Sequence, residues 1–156
     1  MKILALILLA GFILMAPVLA APPVGSTYKT VPPKVRFVWL HVNVDSADMP
    51  LAAYQFELKA TQGDVTIVGV EGGLHKAFKK PPYYDPAVLK KENRIIIAAF
   101  NTGNDLPAGK NRIASVHLMV EGEIEPEYKI ELTVAADPNG KKIPNAKINL
   151  KKGNTK

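Results

Sequence analysis

Three serines and three histidines are the side chains of this 156-residue sequence best suited to nucleophilic or acid–base chemistry. A serine nucleophile of the hydrolase kind sits on a sharp Gly-x-Ser-x-Gly turn, and Ser26, Ser46 and Ser115 lie in no such elbow. His41, His75 and His117 lack the His-Glu-x-x-His spacing that sets two imidazoles on one helix face around a metal. Glycoside hydrolysis would need two carboxylates facing one another across a sugar cleft, and nothing among the 14 acidic residues singles out such a pair. The run Glu121, Glu123, Glu125 and Glu127 gathers negative charge without the aspartates and glycine of a dedicated calcium loop. Cysteine is absent, which removes thiolate metal sites and disulfides together. The sequence therefore predicts no enzyme, no catalytic residue, no metal and no cofactor, with a small secreted hydrolase as the least favoured alternative.

Binding chemistry is better represented. Tyr83 and Tyr84 stand between Pro81-Pro82 and Pro86, where flat rings held by prolines suit stacking on sugar C–H surface; the competing role is to pack the loop itself. Phe37, Trp39 and His41 fall on one face of a strand and form a second candidate platform, unless a loop or linker covers it. Basic residues gather at positions 76, 79, 80, 90, 91 and 94, and again at 141, 142, 147, 151, 152 and 156. Such runs are ordinarily solvated loops and tails, with acidic glycans, anionic lipids or cell-wall polymers as the functional alternative.

The elements that position these residues read as strands. Residues 34–44 alternate, with Val38, Leu40, Val42 and Val44 on one face and Phe37, Trp39, His41 and Asn43 on the other. After turn residues at 45–50, Tyr54, Phe56 and Leu58 alternate against Gln55, Glu57 and Lys59, which predicts a hairpin with the preceding strand. Further strands are expected at 65–70, 94–100, 112–120, 128–134 and 146–150. In the fourth of these, Tyr128, Ile130, Leu132 and Val134 share one face and Lys129, Glu131 and Thr133 the other. Residues 74–93 form a long exposed excursion in which only 86–91 suit a helical turn. Seven or so short strands separated by turns argue for an all-β, antiparallel β-sandwich, with a closed barrel as runner-up.

The amino terminus points to export. Lys2 precedes an uncharged apolar run at 3–15, and Val18 and Ala20 occupy the −3 and −1 places of a cut after Ala20. The run falls short of the roughly 20 apolar residues of a spanning helix and is closed by Pro17 and Pro22-Pro23. Residues 1–20 are thus expected to be a signal peptide, 21–33 a proline-rich linker, 34–150 one domain and 151–156 a basic tail. Cleavage would leave 136 residues (156 less 20) in a secreted or periplasmic protein with no remaining membrane span. With Lys2 removed, 19 basic residues stand against 14 acidic ones, a net +5 that favours solubility and does not by itself indicate nucleic acid.

Four segments carry a family resemblance: Leu51-Ala-Ala-Tyr-Gln-Phe-Glu-Leu58, Val65-Thr-Ile-Val-Gly-Val-Glu-Gly-Gly73, Arg94-Ile-Ile-Ile-Ala-Ala-Phe100 and Ile113-Ala-Ser-Val-His-Leu-Met-Val120. Together they resemble a cohesin domain over roughly residues 35–150. The resemblance implies a nine-stranded jelly-roll, related in fold to carbohydrate-binding modules, that docks a dockerin-like protein on one flat sheet face. A first strand is missing unless residues 27–31 supply it, and the 74–93 segment is longer and more basic than the family pattern. On this resemblance the partner-binding face comprises Gln55, Glu57, Lys59, Lys129, Glu131 and Thr133. Their mixed signs suit a selective protein partner, while opposite charges on neighbouring strands would also pair across the sheet. The expected function is an exported non-catalytic binding module for protein, with carbohydrate binding through Tyr83 and Tyr84 as the alternative.

Overall fold

The computed structural model describes residues 34–86 and 93–153. The expected signal peptide and linker, the strand at 27–31, Lys90, Lys91, Lys156 and most of the helical turn at 86–91 lie outside those residues. Eight strands are described: β1 (Val35–Asp45), β2 (Ala53–Gln62), β3 (Asp64–Gly72), β4 (Tyr83–Tyr84), β5 (Arg94–Phe100), β6 (Lys110–Glu121), β7 (Glu127–Ala136) and β8 (Lys147–Lys152). They form two four-stranded antiparallel sheets, ordered β3-β6-β1-β8 and β4-β5-β2-β7. The protein is all-β, in a two-sheet, sandwich-like arrangement. Among the described residues no helix is long and apolar enough to cross a membrane.

Side chains alternate across a strand, so every second residue of a half-apolar strand faces the core. Leu40, Val42 and Val44 of β1, Val65 and Ile67 of β3 and Ala114, Val116, Leu118 and Val120 of β6 turn inward from one sheet. Tyr54, Phe56 and Leu58 of β2 with Ile95 and Ile97 of β5 meet them from the other, in one core. The Tyr54 hydroxyl donates to the Ile113 carbonyl at 3.1 Å, satisfying a buried polar group between the sheets. Its burial pushes the phenol pKa far above its ordinary value.

Three expectations are corrected. β1 and β2 are no hairpin: β1 pairs with β6 and β8, and β2 with β5 and β7. Ser46 N–H donates to Gly109 O and Leu51 N–H to Pro107 O, so the 45–52 connection is tied to the loop before β6 and carries the chain from one sheet to the other. Val134 faces solvent, because a register shift between Gln55 and Phe56 of β2 interrupts the alternation of β7. The 74–93 segment is also not simply an excursion: Lys76–Phe78 forms a 3-10 turn, begun by His75 Nδ1 accepting from Ala77 N–H. That turn buries Phe78 edge-on against Tyr54, with ring centroids 5.0 Å apart. Gly72 and Gly73 make the approach possible, since a Cβ on either would collide with the Lys79 or Arg112 carbonyl.

Candidate functional sites on the outer faces of the two sheets

The outer face of the β4-β5-β2-β7 sheet holds all six residues expected to bind a partner. Its register is informative: Glu57 stands directly opposite Glu131, and Lys59 directly opposite Lys129. On the other side Lys59 pairs with Arg94. The result is a cationic row, Arg94-Lys59-Lys129, beside an anionic row, Glu57-Glu131. Across β2 and β7 like charges occupy the facing positions, and the opposite charges that pair between neighbouring strands are Glu57 of β2 and Arg94 of β5. Like charges directly opposite one another destabilise a sheet.

One diagonal contact offsets part of this repulsion. Arg94 grips Glu57 with two hydrogen bonds of 2.7 Å, Nε to Oε1 and Nη2 to Oε2. That bidentate bond, helped by the charges of Lys59 and Lys129, holds the Glu57 carboxyl below its ordinary range. Among the described residues Lys59, Lys129 and Glu131 make no ion pair, and with Glu57 and Thr61 they line a depression of about 250 Å³. Gln55 and Thr133 sit above, where the Thr133 hydroxyl donates to the Gln55 carbonyl.

The same face ends in an apolar strip. Tyr83 is 75 % exposed, Phe100 69 % and Val134 41 %, and the three line one open depression with Ala53, Gln55 and Ala98. The tyrosine pair is split by the two-fold alternation of β4. Tyr83 faces outward opposite Ala98, whereas Tyr84 lies opposite Ile97 and packs against the core.

The outer face of the β3-β6-β1-β8 sheet carries a different constellation, which the sequence spacing does not reveal. Register pairs Trp39 with His117, His41 with Ser115 and Glu71 with Ser115, collecting five residues from three strands far apart in the chain. These side chains and Arg112 line a cavity of about 260 Å³. Ser115 is only 3 % exposed, and its hydroxyl is 2.9 Å from His41 Nδ1. Trp39 meets His117 edge-on at 5.7 Å. Arg112 Nη1 lies 3.4 Å from both ring nitrogens of His41, at the long end of hydrogen-bond geometry.

A serine–histidine pair invites a hydrolase reading, but its electrostatics oppose one. Burial lowers the His41 pKa, and Arg112, Lys151 and His117 lower it further against a smaller opposing effect of Glu71. An effective base next to serine needs a carboxylate that stabilises the imidazolium, and here the neighbour of the imidazole is a guanidinium. The arrangement favours neutral His41 as a hydrogen-bond partner. Arg112 Nε and His117 Nε2 are both buried without a hydrogen-bond partner, although His117 Nε2 comes within 3.3 Å of Glu71 Oε1. A buried donor left unpaired costs about 1–3 kcal/mol.

The remaining sequence candidates are dispersed. His75 caps the 3-10 turn and lies 3.6 Å from Asp105. In the acidic 121–127 loop Glu123 pairs with Lys34, and Glu125 with Arg36 and Lys152. Among the described residues no group of three or more histidine, cysteine or acidic side chains is placed to hold a metal. Lys151 and Lys152, read as tail, belong to β8. Comparison with known proteins assigns the chain to no family: no family model matches it, and neither does any curated protein or solved structure.

Proposed function

We propose that the chain is an exported, non-catalytic binding module of cohesin-like jelly-roll type that docks a protein on the outer face of the β4-β5-β2-β7 sheet. The observation that carries this reading is the register of charge on that face. Glu57 against Glu131 and Lys59 against Lys129 oppose sheet stability, and a partner presenting the complementary rows would neutralise both. Tyr83, Phe100 and Val134 supply the adjoining apolar surface, in keeping with interfaces that set aromatic anchors beside a polar rim. The antiparallel two-sheet architecture is compatible with the jelly-roll.

Affinity capture from an exported-protein extract tests the reading when wild type is compared with Phe100→Ser and with Glu131→Lys. A specific protein retained by wild type and released by both variants is the expected outcome. Polysaccharide binding through Tyr83 is the second reading, favoured by its exposed ring. Retention on a polysaccharide resin that Tyr83→Ala abolishes would put that reading first.

A further inference from the structure

We propose that the cavity on the opposite sheet, between Trp39 and Arg112, binds the carboxylate of an acidic sugar. The site is independent of the docking face, since it is built on β1, β3 and β6. Its chemistry follows from an excess of donors. Arg112 makes no hydrogen bond through Nε, and among the described residues its side chain's hydrogen-bond contacts are those of Nη1 with the His41 ring nitrogens, both at 3.4 Å. His117 lies on the same wall, its Nε2 3.3 Å from the Glu71 carboxylate but without a well-aligned hydrogen bond. Arg112 lines the cavity, and a guanidinium fork matches the two oxygens of a carboxylate in geometry and charge. Glu71 is the one carboxylate lining the cavity, and its side chain is mostly exposed at the rim beside His117.

A carboxylate alone would leave the rest of the cavity empty. The volume of about 260 Å³ equals the share of roughly nine waters in the liquid, which suits one sugar ring. Trp39 supplies the aromatic wall against which a ring's C–H surface packs. Beyond Glu71 and Arg112 a second depression opens, lined by Gly72, Gly73, Lys79 and Pro81, so a linked unit would find another cation, Lys79. Lys151, on the neighbouring strand beside His41, adds positive charge from the other side. An acidic disaccharide thus meets a charge on each unit and an aromatic wall on the first.

Trp39 is the only tryptophan of the chain, so its fluorescence reports the site directly. Full-length protein is titrated with digalacturonate, with the neutral disaccharide of galactose, and with sodium acetate and sodium sulfate. A saturable fluorescence change with digalacturonate, weakened about tenfold or more in Arg112→Gln and several-fold in Lys79→Gln, is the expected result. The neutral sugar should give no saturable change. Equal responses to acidic and neutral sugars, or Arg112→Gln binding like wild type, would overturn the carboxylate assignment. Acetate or sulfate binding as tightly as digalacturonate would reduce the site to a simple anion hole and overturn the sugar assignment. If Arg112→Gln fails to fold, the imidazole NMR signals of His41 and His117 in wild type decide: they shift with digalacturonate if the proposal holds and stay fixed if it fails.

Discussion

The two outer faces of this protein handle charge in opposite ways. On the β4-β5-β2-β7 face Lys59, Lys129 and Glu131 are exposed and charges are set like against like, with the half-buried diagonal Glu57–Arg94 pair relieving part of the repulsion. On the β3-β6-β1-β8 face the polar groups are drawn in. Ser115 is buried, His41 is held towards its neutral form, and Arg112 buries an Nε without a hydrogen-bond partner. The first pattern suits a broad partner that brings its own charges, and the second a small ligand that brings oxygen acceptors. Both faces stand on one apolar core, so a change confined to either face should leave the fold intact.

Breaking the core removes both faces at once and gives the largest effect. Phe56→Ala should destabilise by about 3–5 kcal/mol, as truncation of a fully buried aromatic side chain does, and urea denaturation followed by circular dichroism checks it. Ser115→Ala strikes only the recessed face. It leaves His41 Nδ1 without its hydroxyl partner and should cost about 1–2 kcal/mol in the same measurement.

The recessed face also predicts a pH dependence. Because folding lowers the His41 pKa below 6.5, the unfolded chain binds the extra proton first as pH falls. The contribution of neutral His41 to stability is therefore complete above about pH 6.5 and declines below it until the folded-state pKa is passed. Thermal melts of wild type and His41→Gln between neutral and mildly acidic pH should diverge in slope, with the variant flatter. Parallel slopes would mean that His41 does not carry this dependence.

On the proposed docking face, loss of an exposed ring should be almost silent for stability. Tyr83→Ser and Phe100→Ser are each expected within about 0.5 kcal/mol of wild type, while removing the apolar anchors of the proposed interface. A larger loss would show that the strip is structural, and would blur the contrast between the two faces.

Much of this organisation is legible in the sequence because a strand's period is two. The inward rows Leu40-Val42-Val44 and Tyr54-Phe56-Leu58 follow directly from alternation, and so does the shared outward face of Gln55, Glu57 and Lys59. Strand order is not local, however, and that is where the reading fails. The β1–β2 hairpin is suggested by proximity in sequence, yet the chain changes sheet between them. The recessed cluster escapes notice for the same reason: His41, Glu71 and Ser115 are brought together by register alone, across gaps that match no catalytic spacing. Val134 is misassigned because a bulge shifts the period by one residue, and nothing in the composition of β7 announces it.

A charge exchange on β7 tests the central claim most directly. Exchanging two charges on β7, in the double variant Lys129→Glu and Glu131→Lys, preserves composition and net charge while setting Glu opposite Lys59 and Lys opposite Glu57. If the like-charge rows are kept at the expense of stability, the urea midpoint should rise, with a gain of up to about 1 kcal/mol and an unchanged m-value. An unchanged or lowered midpoint would mean that the native rows are already the stable arrangement, and the argument from charge register to a docking face would fail.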